Sequence, residues 1–128
     1  MSNSKNQMIA EIKFASDSVE FLSEERCYIS EIANDAGDST VSIAKARVIP
    51  GVTTKWHRLN GIVERYIITS GQGVVEIGNL AAIKVSENDV VRIPSNVLQR
   101  ITNTGTEDLV FFCVCTPPFN YDNYESLE

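Results

Sequence analysis

Short runs of β-branched and aromatic residues, broken by turn residues, fill most of the chain. Long amphipathic helical patterns are missing, so the pattern predicts strands. Arg26 to Ala33 alternates loosely and meets the turn cluster Asn34-Asp35-Ala36-Gly37-Asp38. Val41 to Ile49 stops at Pro50-Gly51, and Thr53 to Leu59 runs into Asn60-Gly61, a dipeptide typical of tight hairpins. Ile62 to Thr69 follows, then Val74 to Ile77 and Leu80 to Val85 around Gly78-Asn79, Asp89 to Ile93, Val97 to Asn103 and Leu109 to Cys115. About nine strands with turns at this spacing predict an antiparallel all-β sandwich or barrel. Met8 to Phe14 and Ser18 to Leu22 read as short edge strands, and Thr116 to Glu128, with its prolines and aromatics, as an extended tail packed on the barrel. The whole reads as one domain over residues 1–128, with a barrel core at about 26–116, an N-terminal edge segment at 1–25 and the packed tail at 117–128.

Composition narrows the partners. Seventeen acids against eleven bases give a net charge of −6, and no Lys or Arg follows Arg100. Without a basic stripe to neutralise phosphates, nucleic acid and anionic membrane are not expected partners. No apolar run approaches the length of a membrane span, and Met1 to Met8 is polar, so a cytoplasmic protein is expected. Cys27, Cys113 and Cys115 form no metal-type spacing and read as buried free thiols, which fits a reducing compartment.

Chemistry-bearing groups are scarce. His57 is the only histidine, and neither a GxSxG nucleophile elbow nor a phosphate-cradling glycine motif occurs. His57 lies late in one strand and Glu64 early in the next, across Asn60-Gly61. On a hairpin both can point to one face, where such a pair binds a divalent cation or works as acid and base. The same pattern also fits a surface hairpin with an exposed histidine and a solvated carboxylate. By alternation Leu59 shares a face with His57, and Tyr66 and Ile68 share one with Glu64. Trp56, Arg58, Arg65 and Arg100 have outward parity, and Arg92 is ambiguous.

Gly51-(five residues)-His57-Arg58-Leu59-(four)-Glu64-(six)-Gly71 resembles the first cupin motif, Gly-x5-His-x-His-x3–4-Glu-x6-Gly. Asn88-(five)-Pro94-Ser95-Asn96-(two)-Gln99-(three)-Asn103 is similar in spacing to the second motif, Gly-x5-Pro-x-Gly-x2-His-x3-Asn. Sixteen residues separate the two, a short gap like that of small bacterial cupins. The resemblance covers about residues 40–116 and implies a double-stranded β-helix, a jelly-roll-like barrel. Asn88 and Asn96 stand where the family has turn glycines, and Asn tolerates left-handed backbone.

Leu59 and Gln99 replace two of the three histidines that hold metal in the family. The resemblance then implies a weak site of His57, Glu64 and Gln99, with Zn²⁺, Fe²⁺, Mn²⁺ or Ni²⁺ held loosely, and not the two-His-one-carboxylate set of Fe(II) oxygenases. Tyr66, Ile68, Leu59 and Ile101 are the expected substrate contacts in an apolar lumen. Two functions follow. One is a cupin enzyme acting on a small polar metabolite, such as an organic acid or sugar derivative, by isomerase- or lyase-like Lewis-acid chemistry. The other is a cupin that binds or senses a small molecule without turnover. Both faces of Leu109 to Cys115 are apolar, and with the family's habit of pairing through such sheets this implies a homodimer.

Overall fold

The computed structural model describes residues 8–128, and among these eleven strands are present. They are β1 (Phe21–Leu22), β2 (Tyr28–Ala33), β3 (Ser42–Val48), β4 (His57–Leu59), β5 (Val63–Ser70), β6 (Gln72–Ile77), β7 (Ile83–Ser86), β8 (Val90–Ile93), β9 (Gln99–Asn103), β10 (Leu109–Thr116) and β11 (Tyr124–Ser126). One sheet has the order β1-β2-β3-β10-β5-β8 and the other β11-β4-β9-β6-β7. From β3 onward the chain passes back and forth between the sheets, which gives the expected double-stranded β-helix.

Alternation places the core. On β5, Glu64, Tyr66 and Ile68 are buried while the residues between them are half-buried or exposed. On β9, Gln99, Ile101 and Asn103 are inward in the same way. Ala46, Val48, Ile68, Ile93, Leu109 and Phe111 from one sheet meet Val75, Ile77 and Ile101 from the other in one core. Fully burying side chains of this size contributes about 1.5–3 kcal/mol each before entropy is counted. Leu59, Ile62 and Cys115 form a second, smaller cluster with Phe119 and Tyr124 packed on it.

Several turns explain the motif residues. Asn88 and Asn96 have φ of 75° and 69°, so asparagine does adopt the left-handed backbone at these turns. Gly71 has φ +84°, and a Cβ there would lie 2.6 Å from the Asp108 carbonyl oxygen, so any side chain would collide with backbone. Asn103 donates through Nδ2 to the Val48 and Glu107 carbonyls, both at 2.8 Å, while Oδ1 accepts from Gly105 N. That side chain clasps a loop to the barrel.

The structure corrects four local expectations. Asn60-Gly61 does not close a hairpin, because β4 and β5 lie in different sheets; the turn is a corner between them. Strand structure in Thr53 to Leu59 is confined to His57–Leu59, with Thr53 making an isolated bridge to Thr102. Met8 to Phe14 is not a strand, and Ser18 to Leu22 contributes only β1, preceded by a 3₁₀ turn at Ala15–Asp17. The tail holds β11, which pairs with β4 and places Tyr124 opposite Leu59 and Ser126 opposite His57.

Candidate functional site

The barrel interior is solid at one end and hollow at the other. Small side chains line much of the hollow: Ser42, Ala44 and Ala46 on β3, and Cys113 and Cys115 on β10. They leave a cavity of about 140 Å³. His57 enters it from β4, and Glu64 and Tyr66 from β5 in the opposite sheet. The segment before β2 adds Glu25 and Cys27, and the tail adds Phe119 and Tyr124. Phe21 and Tyr121, both largely exposed, stand at the mouth.

His57 is 3% exposed. Its Nδ1 lies 2.7 Å from the Lys55 carbonyl oxygen, which can only accept, so Nδ1 carries the proton. In the neutral ring Nε2 is then a free lone pair, 3.7 Å from Glu25 Oε1. Burial lowers the histidine's pKa and keeps the ring neutral. Tyr124 stacks on the imidazole with centroids 5.2 Å apart, and Tyr121 stacks on Tyr124 at 5.5 Å. Strand β11 thus fixes the ring plane.

Glu64 is 7% exposed, and its Oε1 has no hydrogen-bond partner. Its Oε2 has only the Cys115 thiol at 3.8 Å. Burial, with the charge of Glu25 second, raises this carboxyl to about 7. Glu25 is also raised to about 7, first by burial and then by Glu24. Burial raises the Cys27 thiol to about 12, and Cys113 and Cys115 are raised too, so all three are protonated at neutral pH.

The structure separates the residues expected to act together. His57, Glu64 and Tyr66 reach the cavity. Gln99 lies opposite His57 on β9 but behind the wall, where its Oε1 accepts from the Tyr66 hydroxyl. Leu59 packs in the second cluster, and Ile68 and Ile101 sit in the solid core. Two of the outward arginines are paired: Arg58 with Glu125 at 3.0 Å, and Arg100 with Glu76 at 2.8 Å while lying over Trp56. Glu25 was not visible in the sequence, because Glu24-Glu25-Arg26 reads as a solvated charge cluster ahead of a strand.

The donors do not fit a divalent ion. Among the described residues no three His, Cys, Asp or Glu side chains converge as ligands. The Gln99 oxygen is already engaged by Tyr66. What remains is a neutral imidazole nitrogen and two carboxyls of raised pKa in a largely aromatic and aliphatic hollow, an arrangement suited to moving protons.

A family model described as "Cupin domain" matches residues 44–115. No curated protein matches the sequence significantly. Among solved structures, a Streptomyces PAC13 complex with uridine superposes with a TM-score of 0.78 at 16% identity, covering 94% of this chain and 93% of that one. PAC13 is described as a nucleoside dehydratase. A predicted oxalate decarboxylase from Thermotoga maritima gives 0.74 at 23% identity, covering 84% and 99%. Lactobacillus farciminis oxalate decarboxylase gives 0.75 at 23%, covering 88% of this chain and 34% of the other. No helix among the described residues is long and apolar enough to cross a membrane.

Proposed function

The chain belongs to the cupin domain family, and we propose that it is an enzyme of the lyase or isomerase kind, moving a proton on a small polar metabolite. The observation that carries this is Glu64, a buried carboxyl whose Oε1 has no partner and which lines a cavity also reached by His57. Leaving such an oxygen unpaired costs about 1–3 kcal/mol or more, an expense a bound ligand relieves. In this reading His57 Nε2 takes a proton from the substrate. The Glu25 or Glu64 carboxyl, raised to about 7, returns one to a carbon or a leaving oxygen. Dehydration and decarboxylation, named for the similar structures, are both lyase reactions, which supports the class. One fold hosts many activities, so the site carries the proposal and the fold only permits it.

Deuterium wash-in tests it. A panel of small hydroxy, carbonyl and amino compounds is incubated with the protein in D₂O containing EDTA and read by proton NMR. At least one compound should exchange a carbon-bound proton or lose water, and His57→Gln and Glu64→Gln should each slow this at least a hundredfold. Binding without turnover, the other function, would leave every compound unexchanged. In the same proposal the unit is a homodimer: Met8, Ile9, Ile12, Phe14, Val19 and Leu22 expose their side chains and supply apolar surface for a second copy. Sedimentation equilibrium should then give twice the chain mass.

A further inference from the structure

Unengaged acceptors gather in the cavity, and the Tyr124 hydroxyl, also unpartnered, is a donor among them. Glu64 Oε1 is unpartnered, Glu25 Oε1 lies 3.7 Å from His57 Nε2, and that nitrogen carries no proton because Nδ1 holds it against Lys55. Tyr66 spends its hydroxyl proton on Gln99. No Lys or Arg among the described residues lines the cavity, whereas Glu24 and Glu31 add carboxyls to its wall. Lys55 acts on Glu25 only from outside the wall. The rest of the surface includes aromatic rings, with Tyr66 and Phe111 at 4.5 Å and Tyr124 over His57. Carboxyls with no resident Lys or Arg, Glu64 buried and Glu25 half-buried, beside aromatic faces favour an incoming positive charge.

We propose that the site takes a small organic cation, a primary ammonium that donates to the Glu25–His57 pair, with the Glu64 carboxyl adding negative charge to the same cavity, while its carbon body lies on the aromatic wall. A hollow of about 140 Å³ suits a body of about benzene's size. The inference rests on the cavity being the ligand site of the proposed enzyme, and replaces the organic acid or sugar expected from the sequence with an amine. An inorganic cation is a poorer fit, because the donors do not converge and aromatic faces offer it no ligands.

Three probes of one shape test this: benzylammonium, benzyl alcohol and benzoate, titrated calorimetrically into the full-length protein at pH 8 with EDTA. Benzylammonium should bind at least tenfold tighter than benzyl alcohol, and benzoate should give no heat. Glu25→Gln should weaken benzylammonium at least tenfold and change benzyl alcohol less than twofold; should that variant misfold, Glu24→Gln at the cavity wall should weaken it two- to threefold. Benzoate or benzyl alcohol binding as tightly, or no benzylammonium binding at 10 mM, overturns the proposal. A preference for benzoate would leave the proton-transfer reading standing. Benzylammonium binding without deuterium wash-in from any amine would sink that reading and leave this one.

Discussion

The two ends of the barrel are built from the same strands and do opposite things. At the closed end β5, β9 and β10 point Ile68, Ile101 and Leu109 inward, all at 0% exposure. Further along those strands, at the open end, the inward positions are Glu64, Gln99, Cys113 and Cys115. The β5–β10 register is continuous from Phe111 to Thr116, with Cys113 opposite Tyr66 and Cys115 opposite Glu64, and shifts once between Val110 and Phe111. The difference is side-chain volume and polarity. Branched aliphatics fill one end, whereas Ala, Ser and Cys line the other and leave it hollow, and Glu64 Oε1 stands there without a partner. The fold is secured at the closed end, and the hollow open end contributes less packing.

The largest effect should come from breaking the closed end. Ile101→Ala removes a side chain at the centre of the solid core and should cost about 4 kcal/mol in urea denaturation. Cys113→Ala, in the cavity wall, should cost less than about 1 kcal/mol, because the hollow already denies that sulfur contacts on one side. Equal losses would mean that the two ends are packed alike.

The closed end was the legible one. Period-two burial on β5 and β9 follows directly from the alternation of Glu64-Tyr66-Ile68 and Gln99-Ile101-Asn103. Asn88 and Asn96 were readable because left-handed turns accept few residue types. The open end was half legible. The motif spacing pointed to His57 and Glu64, but convergence comes from facing sheets and not from the hairpin their sequence suggested. Glu25 reaches the site through a tight turn in which Arg26 takes φ 73°, a tertiary placement that a cluster of charged residues does not announce. Tyr124 arrives on β11, whose three residues are too few to show any period. Gln99 was assigned from spacing alone, and only the Tyr66 hydroxyl shows its oxygen to be taken.

A second difference between the ends is their response to pH. Glu64 and Glu25 titrate near 7 in the folded chain and near 4.5 when unfolded. The folded state therefore binds more protons between those values. The stability tied to these protons is fully present below about pH 4.5 and is lost as pH rises through 7. Glu64→Gln keeps the neutral shape at every pH, so at pH 8 it should be about 3 kcal/mol more stable than wild type, and near equal at pH 4.5. The Ile101→Ala deficit should be the same at both. Urea titrations at the two pH values check this; a Glu64→Gln variant weaker than wild type at pH 8 would mean that the carboxylate has a partner in solution.

The smallest effect on stability should come from making the open end resemble the closed one. Ala44 lies on β3 opposite Cys113 of β10 and lines the cavity. Ala44→Leu adds three carbons pointing into space already present, so little overpacking is expected. At about 0.8 kcal/mol per buried CH₂, less the entropy of fixing the side chain, the gain should be about 1 kcal/mol. The same carbons occupy a large part of a hollow of about 140 Å³, so benzylammonium binding and deuterium wash-in should each fall at least tenfold. Stability and ligand capacity would then move in opposite directions from one substitution, as they must if the hollow itself is the functional element. Should Ala44→Leu lose stability while wash-in continues undiminished, the chemistry resides elsewhere, and the contrast between the two ends is one of packing alone.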